Sequence, residues 1–329
     1  MKNKIHKNKI ILTLTIGVIL AVSIVIVNKS HTESKKQGKF VAIATLNSSK
    51  PYTDKAAYSE DGINWKIAIM PAKEEWYSIC YGNGKFVAVA YYSDIAAYSV
   101  DGINWKQAAM PEYKDYVSWY SICYGNGKFV AITRSSGIAA YSDDGIEWKR
   151  TILPDEWLWA DVCYGNGKFV ALDSEDKVAY SVDGIKWTPA TLFKKTIWYS
   201  ICYGNGKFVA VARESKAAYS VDGIKWKQAT LPGNMGSVRV CYGNGKFVIV
   251  SSDQGGSNKA AYSEDGIKWK RATLPNTDWW TSVCYGKDKF VAVGYDRAAY
   301  SVDGIKWKAA TLPDVTDDVK WISVCYGGE

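Results

Sequence analysis

Histidine is almost missing from this sequence: 329 residues contain two, His6 and His31, and both precede the repeated part of the chain. That absence excludes Ser-His-Asp and Cys-His catalysis in the remainder, together with any histidine-ligated zinc or copper site. No Gly-rich loop leads into a helical pattern, so phosphate cradling of the nucleotide-binding kind has no support. No cofactor and no metal are expected. Concentrated positive charge is lacking as well. The formal net charge is +8, but Lys2, Lys4, Lys7 and Lys9 stand together without a nearby acid, and +8 less these four leaves +4. That charge is too diffuse for a nucleic-acid partner.

Long apolar runs are confined to one place. Ile10 to Val27 is eighteen residues without a charge. At about 1.5 Å per residue it just reaches the length needed to cross a hydrocarbon core, and the preceding lysines favour an N-inside, C-outside orientation. The reading adopted is a cytoplasmic basic segment 1–9, a signal-anchor helix 10–27, a linker 28–37 and a folded domain 38–329 outside the cytoplasm. A cleaved signal peptide is the alternative, since Ala21-Val22-Ser23 has the small-x-small pattern of a cleavage site. No cysteine stands near the end of the run, which argues against a lipoprotein anchor.

What is present in abundance is repetition. YSVDGIKW occurs at 180–187, 219–226 and 300–307, and near-copies at Tyr58, Tyr98, Tyr141 and Tyr262 bring the number to seven. A second marker, CYGNGKF or CYGKDKF, begins at Cys80, Cys123, Cys163, Cys202, Cys241 and Cys284, at intervals of 43, 40, 39, 39 and 43 residues. A period near 40 with β-branched and aromatic residues and frequent turn signals predicts a seven-bladed, all-β propeller of four-stranded antiparallel blades. In the second copy the strands are Trp76–Gly82, Lys85–Ala90, Ala96–Ser99 and Trp105–Ala109. Asn83-Gly84 supplies a tight hairpin between the first two, and Asp101-Gly102 the turn between the last two. The first copy lacks its opening strand. The sequence from Trp321 to Gly327 is that strand standing alone, so the C-terminus is expected to complete the first blade and leave no open edge.

The repeated turn resembles the Asp-box of the sialidase superfamily, S/T-x-D-x-G-x-T-W, with Ser181, Asp183, Gly184 and Trp187 matching in type and order. Here Gly follows Asp directly and one residue is missing before Trp in all seven copies, a shortened variant. The resemblance implies that Asp61, Asp101, Asp144, Asp183, Asp222, Asp265 and Asp303 are structural, folding the turn between third and fourth strands on the side away from an active site. It also implies a possible hydrolase, since that family uses three arginines on a substrate carboxylate, a Tyr nucleophile assisted by Glu, and an Asp acid. The family's N-terminal Arg-Ile-Pro motif is absent, and Arg150 and Arg271 fall on outer strands. Seven cysteines at one equivalent position are expected to be buried free thiols, since rotation gives every neighbour the same separation.

Function is therefore sought where the copies disagree. Two positions before the cysteine, Ser gives way to Asp161 and Arg239, and Trp four before it gives way to Ser237. Arg134 and Arg213 end the second strand in two copies, Asp173 lies one position earlier in another, and Trp157 precedes an inner strand. These six, Arg134, Trp157, Asp161, Asp173, Arg213 and Arg239, are the candidate ligand-binding residues, suited to the carboxylate or sulfate of an acidic glycan. Tyr113, Tyr116 and Trp279 are further aromatic candidates, whereas the repeated Trp76, Trp119 and Trp198 are expected to pack. The expectation is a monomeric binding module held at the membrane through residues 10–27, recognising glycan or protein through its variable loops without catalysis. A sialidase-like hydrolase and a scaffold for an envelope complex are the alternatives.

Overall fold

The computed structural model describes residues 37–47, 51–113, 117–155, 158–193, 195–253, 255–315 and 318–328. The expected anchor 10–27, Tyr116 and Trp157 lie outside them. All regular structure among the described residues is β. Residues Lys36–Glu329 form one compact unit.

The first sheet shows how the repeats are joined. Strands β1 (Lys39–Leu46), β2 (Thr53–Ser59), β3 (Lys66–Gly82), β4 (Lys85–Tyr91), β5 (Ile95–Ser99) and β6 (Lys106–Ala109) follow one another in a seven-stranded sheet whose remaining edge is the C-terminal strand Val319–Gly327. Five four-stranded sheets complete the fold. All pairings are antiparallel, and Phe40 lies opposite Tyr326 and Val41 opposite Cys325, so the terminal strand does pair beside the first one. The sequence predicts a break between the fourth strand of one repeat and the first of the next. In β3 there is none: residues 66–69 and Glu74 pair with β2, and residues 75–82 pair with β4. No turn signal stands in Pro71 to Glu75, and an irregularity between Thr53 and Lys55 lets the strand pass from one partner to the other. Ser251 and Ser252 belong to one strand and Ser257 begins the next, so the connection between them is short.

The strands that carry Cys80, Cys123, Cys163, Cys202, Cys241, Cys284 and Cys325 are neighbours in chain order, and the last also neighbours β3. The sheets are thus arranged around a central channel, the arrangement of a β-propeller. Two contacts explain the CYG marker. A Cβ on Gly82 would stand 2.0 Å from Cγ of Tyr124, so only glycine lets that ring lie against the preceding strand; the same relation runs from Gly125 and Tyr164 round to Gly327 and Tyr81. Each cysteine then packs at an inner edge between sheets, as Cys80 does with Val87, Trp119 and Phe129. All seven thiols are free, and burial raises their pKa values, which keeps them protonated.

The core lies between sheets, which is why the second strand of each repeat is apolar along its whole length. Phe86 to Ala90 are buried on both faces, and so are their equivalents. Trp76, Trp119, Trp159, Trp198, Trp280 and Trp321 are completely buried, which fixes them as packing residues. The hairpin turns adopt the expected left-handed pair, φ 45° at Asn83 and 72° at Gly84. In the variant copy Lys287 and Asp288 take φ 44° and 57°, the same turn without glycine.

The repeated acidic turn is a hydrogen-bond cage. Asp183 Oδ1 accepts from the backbone N–H of Ile185 at 2.8 Å and Lys186 at 2.9 Å, and from Ser181 Oγ at 2.9 Å. Ser181 Oγ in turn accepts from Gly184 N–H at 2.9 Å. The same set recurs at Asp61, Asp101, Asp144, Asp222, Asp265 and Asp303. Partial burial pushes the Asp101 carboxyl up, but these donors outweigh it and lower its pKa to about 2. The turns also tie one sheet to another. Asn83 Nδ2 donates to Asp143 O of the following repeat at 3.2 Å, and Asn126, Asn166, Asn205 and Asn244 repeat the bond. Where Lys287 replaces Asn, its Nζ reaches Glu60 O at 2.9 Å and keeps the link.

Candidate functional site

At the opposite end of the channel from these turns is a cavity of about 670 Å³. Its wall begins with the residues two before each cysteine. Ser78, Ser121, Asp161, Ser200, Arg239, Ser282 and Ser323 all line it. The residues three before each cysteine add Tyr77, Tyr120, Ala160, Tyr199 and Thr281, and the rim adds Glu75, Ser237, Trp279 and Tyr295.

The serines have a structural task. Each inner strand has alternate N–H groups facing away from its own ladder, and the hydroxyl on the preceding strand accepts them. Ile122 N–H donates to Ser78 Oγ at 3.3 Å, Val162 N–H to Ser121 at 3.3 Å, Val240 N–H to Ser200 at 3.4 Å and Val324 N–H to Ser282 at 3.2 Å. Asp161 takes the same post. Its Oδ2 accepts from Ile201 N–H at 2.9 Å, and its Oδ1 from Ser121 Oγ at 2.7 Å and Val162 N–H at 2.9 Å. Burial raises its pKa against these hydrogen bonds and the attraction of Arg239. No ion pair within 4 Å joins Asp161 to Arg239 among the described residues, so the carboxylate is an inter-repeat latch more than a counter-ion.

Arg239 differs from all of these because a guanidinium has no acceptor. Among the described residues its one hydrogen bond is from Nη1 to Val238 O, the neighbouring backbone carbonyl, at 3.2 Å. Its charge reaches Tyr77 and Tyr295, opposing the burial that raises both phenols. Replacement of the repeated tryptophan by Ser237 opens space on the same strand. Trp279, about 40% exposed, faces Tyr295 with ring centroids 5.2 Å apart. On the other side Tyr77, Tyr91 and Tyr120 form a stack, Tyr77 and Tyr120 being 4.6 Å apart.

The other candidates are placed elsewhere. Arg134 does not line the cavity: its guanidinium lies 4.5 Å from the Tyr120 ring and braces that stack from behind. Arg213 is exposed on a loop. Asp173 is fully buried and turned into its own loop, where Oδ1 accepts from Glu175 N–H at 2.9 Å and Lys177 N–H at 2.7 Å. Burial and neighbouring acids raise its pKa to about 6 against those two bonds. One residue of register separates Asp173 from Arg134 and Arg213, enough to send its side chain to another environment. Trp157 lies outside the described residues. Tyr113 lines a different groove of about 740 Å³ with Glu74, Asp94 and Glu112, and carries Arg150 over its ring at 4.2 Å.

Of the candidate residues, Asp161 and Arg239 line the axial cavity, and Arg134, Asp173 and Arg213 do not. Of the lining residues the sequence reading missed, Tyr77, Tyr120 and Tyr199 carried a signal. Three positions before the cysteine the copies read Tyr, Tyr, Ala, Tyr, Val, Thr and Ile, as much internal disagreement as at the position that was noticed.

No family model matches the chain, and no curated protein matches it. Solved structures do. A streptogramin B lyase superposes with a TM-score of 0.66 at 11% identity, covering 85% of this chain and 90% of that one. Virginiamycin B lyase from Staphylococcus aureus gives 0.65 at 12% identity, covering 74% and 86%. YCF48 bound to D1 peptide gives 0.56 at 13% identity, covering 72% and 85%. These neighbours are β-propeller proteins, and at such identity what the chain shares with them is the fold.

Proposed function

We propose that this chain is a seven-bladed propeller of the Asp-box kind, anchored through residues 10–27 with residues 38–329 outside the cytoplasm, and that it is a non-catalytic binding module for a glycan or protein ligand. The observation that carries the binding site is the contrast within one ring of equivalent positions: at the channel mouth the copies differ and enclose a cavity of about 670 Å³ with aromatic walls and Arg239. Support for the anchor is the eighteen-residue apolar run behind four lysines. Support for the blade count is the seven boxes and the seven inner strands around the channel.

The propeller neighbours include a protein bound to a peptide and two lyases, so the fold serves both kinds of role. Binding is favoured because the seven thiols, packed between sheets, are held protonated by burial and no histidine stands in residues 38–329. Among Arg134, Arg213, Arg239 and Arg297, only Arg239 lines the cavity, so no triple-arginine carboxylate clamp of the sialidase kind is present among the described residues.

The test is parallel screening of the full-length protein and its Arg239→Glu and Trp279→Ala variants on a glycan array and a peptide library. Ligands retained by the wild type and lost from both variants are expected. Ligands bound equally by all three proteins would remove the channel mouth as the site, and steady release of product from a fluorogenic sialoside would replace binding by hydrolysis.

A further inference from the structure

Among the described residues two of the seven equivalent N–H groups in the channel wall, those of Ile79 and Val283, have no hydrogen bond, and only at Val283 does the preceding strand carry no hydroxyl or carboxylate to accept one. In a two-residue hairpin the residues flanking the turn form a hydrogen-bonded pair and the pairs beyond alternate. Gly286 opposite Lys289 flanks such a turn, so Val283 opposite Ala292 is a non-hydrogen-bonded pair and its N–H is directed out of the ladder toward the channel. The equivalent N–H groups of Ile122, Val162, Ile201, Val240 and Val324 each meet a hydroxyl or carboxylate on the preceding strand. At the junction with Ile79, Ser323 keeps a hydroxyl in place. At the junction with Val283 the preceding strand carries Arg239, which offers only donors. Among the described residues no hydrogen bond to the Val283 N–H is present.

A guanidinium whose one hydrogen bond goes to the neighbouring Val238 O and a backbone N–H with no partner among the described residues therefore lie on adjacent strands in the lining of one cavity, together with Ser237, Trp279 and Tyr295. A half-exposed guanidinium on the strand next to a backbone N–H without an acceptor leaves donors available to an anion, the chemistry of an oxyanion site. We infer that the junction of Arg239 and Val283 is a carboxylate subsite, and that it takes the C-terminal carboxylate of a peptide entering along the channel axis. The inference rests on the binding-module reading.

A peptide end fits the surroundings better than a sugar acid. At the level of Arg239 the hydroxyls of Ser78, Ser121, Ser200 and Ser282 are already engaged as latches between strands. Among the described residues Ser78 and Ser282 keep their protons to give, while Ser121 donates to Asp161, so the wall offers a ligand donors more than acceptors, which suits a carboxylate better than the hydroxyls of a pyranose. A chain end presents one carboxylate at its tip, and the tyrosine walls suit its last side chain.

The experiment is NMR on the full-length protein in detergent micelles, labelled with ¹⁵N-valine, titrated with N-acetylphenylalanine, its C-terminal amide, and glucuronate. The Val283 amide is expected to move downfield saturably with the free acid, with at least tenfold weaker response to the amide, and Arg239→Gln is expected to abolish the shift while other valine signals stay in place. Arg239→Ser is the companion that guards against a perturbed fold: it restores the repeat's own residue, gives Val283 N–H an acceptor, and should show the bound-like amide position with no response to the acid. Equal response to acid and amide, or movement of other cavity valines while Val283 stays still, overturns the carboxylate subsite and leaves the binding-module reading standing. Tighter binding of glucuronate than of N-acetylphenylalanine overturns the peptide assignment. Silence with all three probes overturns the subsite; the array and library screen tests the module reading separately.

Discussion

The two ends of the channel are made by the same seven inner strands and differ in what the repeats preserve. At one end the hairpin Asn-Gly turns and the Ser-x-Asp-Gly cages repeat with the same hydrogen bonds and nearly the same lengths, 2.8–3.0 Å at each Asp Oδ1. At the other end the equivalent positions read Ser, Ser, Asp, Ser, Arg, Ser and Ser, and the row above them changes from Tyr to Ala, Val, Thr and Ile. The first end resists change because its Ser and Asp side chains are tied into hydrogen bonds within each turn and its Asn side chains into bonds between sheets. The second end tolerates change because its side chains face the cavity, where only a latch acceptor is required of them.

That comparison can be broken first where glycine meets tyrosine. A Cβ at Gly165 would stand 2.0 Å from Tyr203 Cγ, whereas at Gly167 a Cβ meets nothing within 4 Å although φ is +72°. Gly165→Ala is expected to cost about 3 kcal/mol through overpacking, and Gly167→Ala about 1 kcal/mol through left-handed strain alone. Urea denaturation of the two variants checks this; equal losses would show that the CYG glycine is not a packing residue. Next is the cage. Asp183→Ala removes the acceptor of two backbone N–H groups and a hydroxyl, and about 2 kcal/mol of destabilisation is expected, against a negligible change for Asp143→Ala, whose carboxylate is mostly exposed and pairs only with Lys128.

The cage and the loop acid Asp173 also respond to pH in opposite senses. The folded pKa of Asp101 is lowered to about 2, so its contribution is present above the unfolded value near 4 and is lost as pH falls toward 2. The folded pKa of Asp173 is raised to about 6, so its protonated form is favoured in the folded state, and stability falls as pH rises from about 4 through 6. Stability curves of the wild type and Asp173→Asn should therefore diverge between those pH values, the wild type losing relative ground as pH rises. Parallel curves would mean that Asp173 is not buried as described.

Much of the fold was legible because a repeat writes its own alignment. The lone strand Trp321 to Gly327 and the missing opening strand of the first copy together predicted that the C-terminal strand pairs with the first one, and Phe40 does lie opposite Tyr326. The continuity of β3 was not legible, since Pro71 to Glu75 carries no mark that distinguishes a bulged strand from a loop. The site was half legible. Asp161 and Arg239 stood out as departures from serine, but that Asp161 would keep the serine's hydrogen bond to the next strand depends on a register that spacing alone does not reveal. Arg134 and Asp173, adjacent in register, end in quite different places, one against an aromatic ring and the other inside its loop.

The claim beneath these arguments is that Arg239 occupies a structural post that it cannot perform, and is kept there for a ligand. The most direct measurement is the urea midpoint of Arg239→Ser. Restoring an acceptor for Val283 N–H should raise stability by about 1 kcal/mol. A lower midpoint than wild type would show that Arg239 is itself holding the ring together, and would contradict the account.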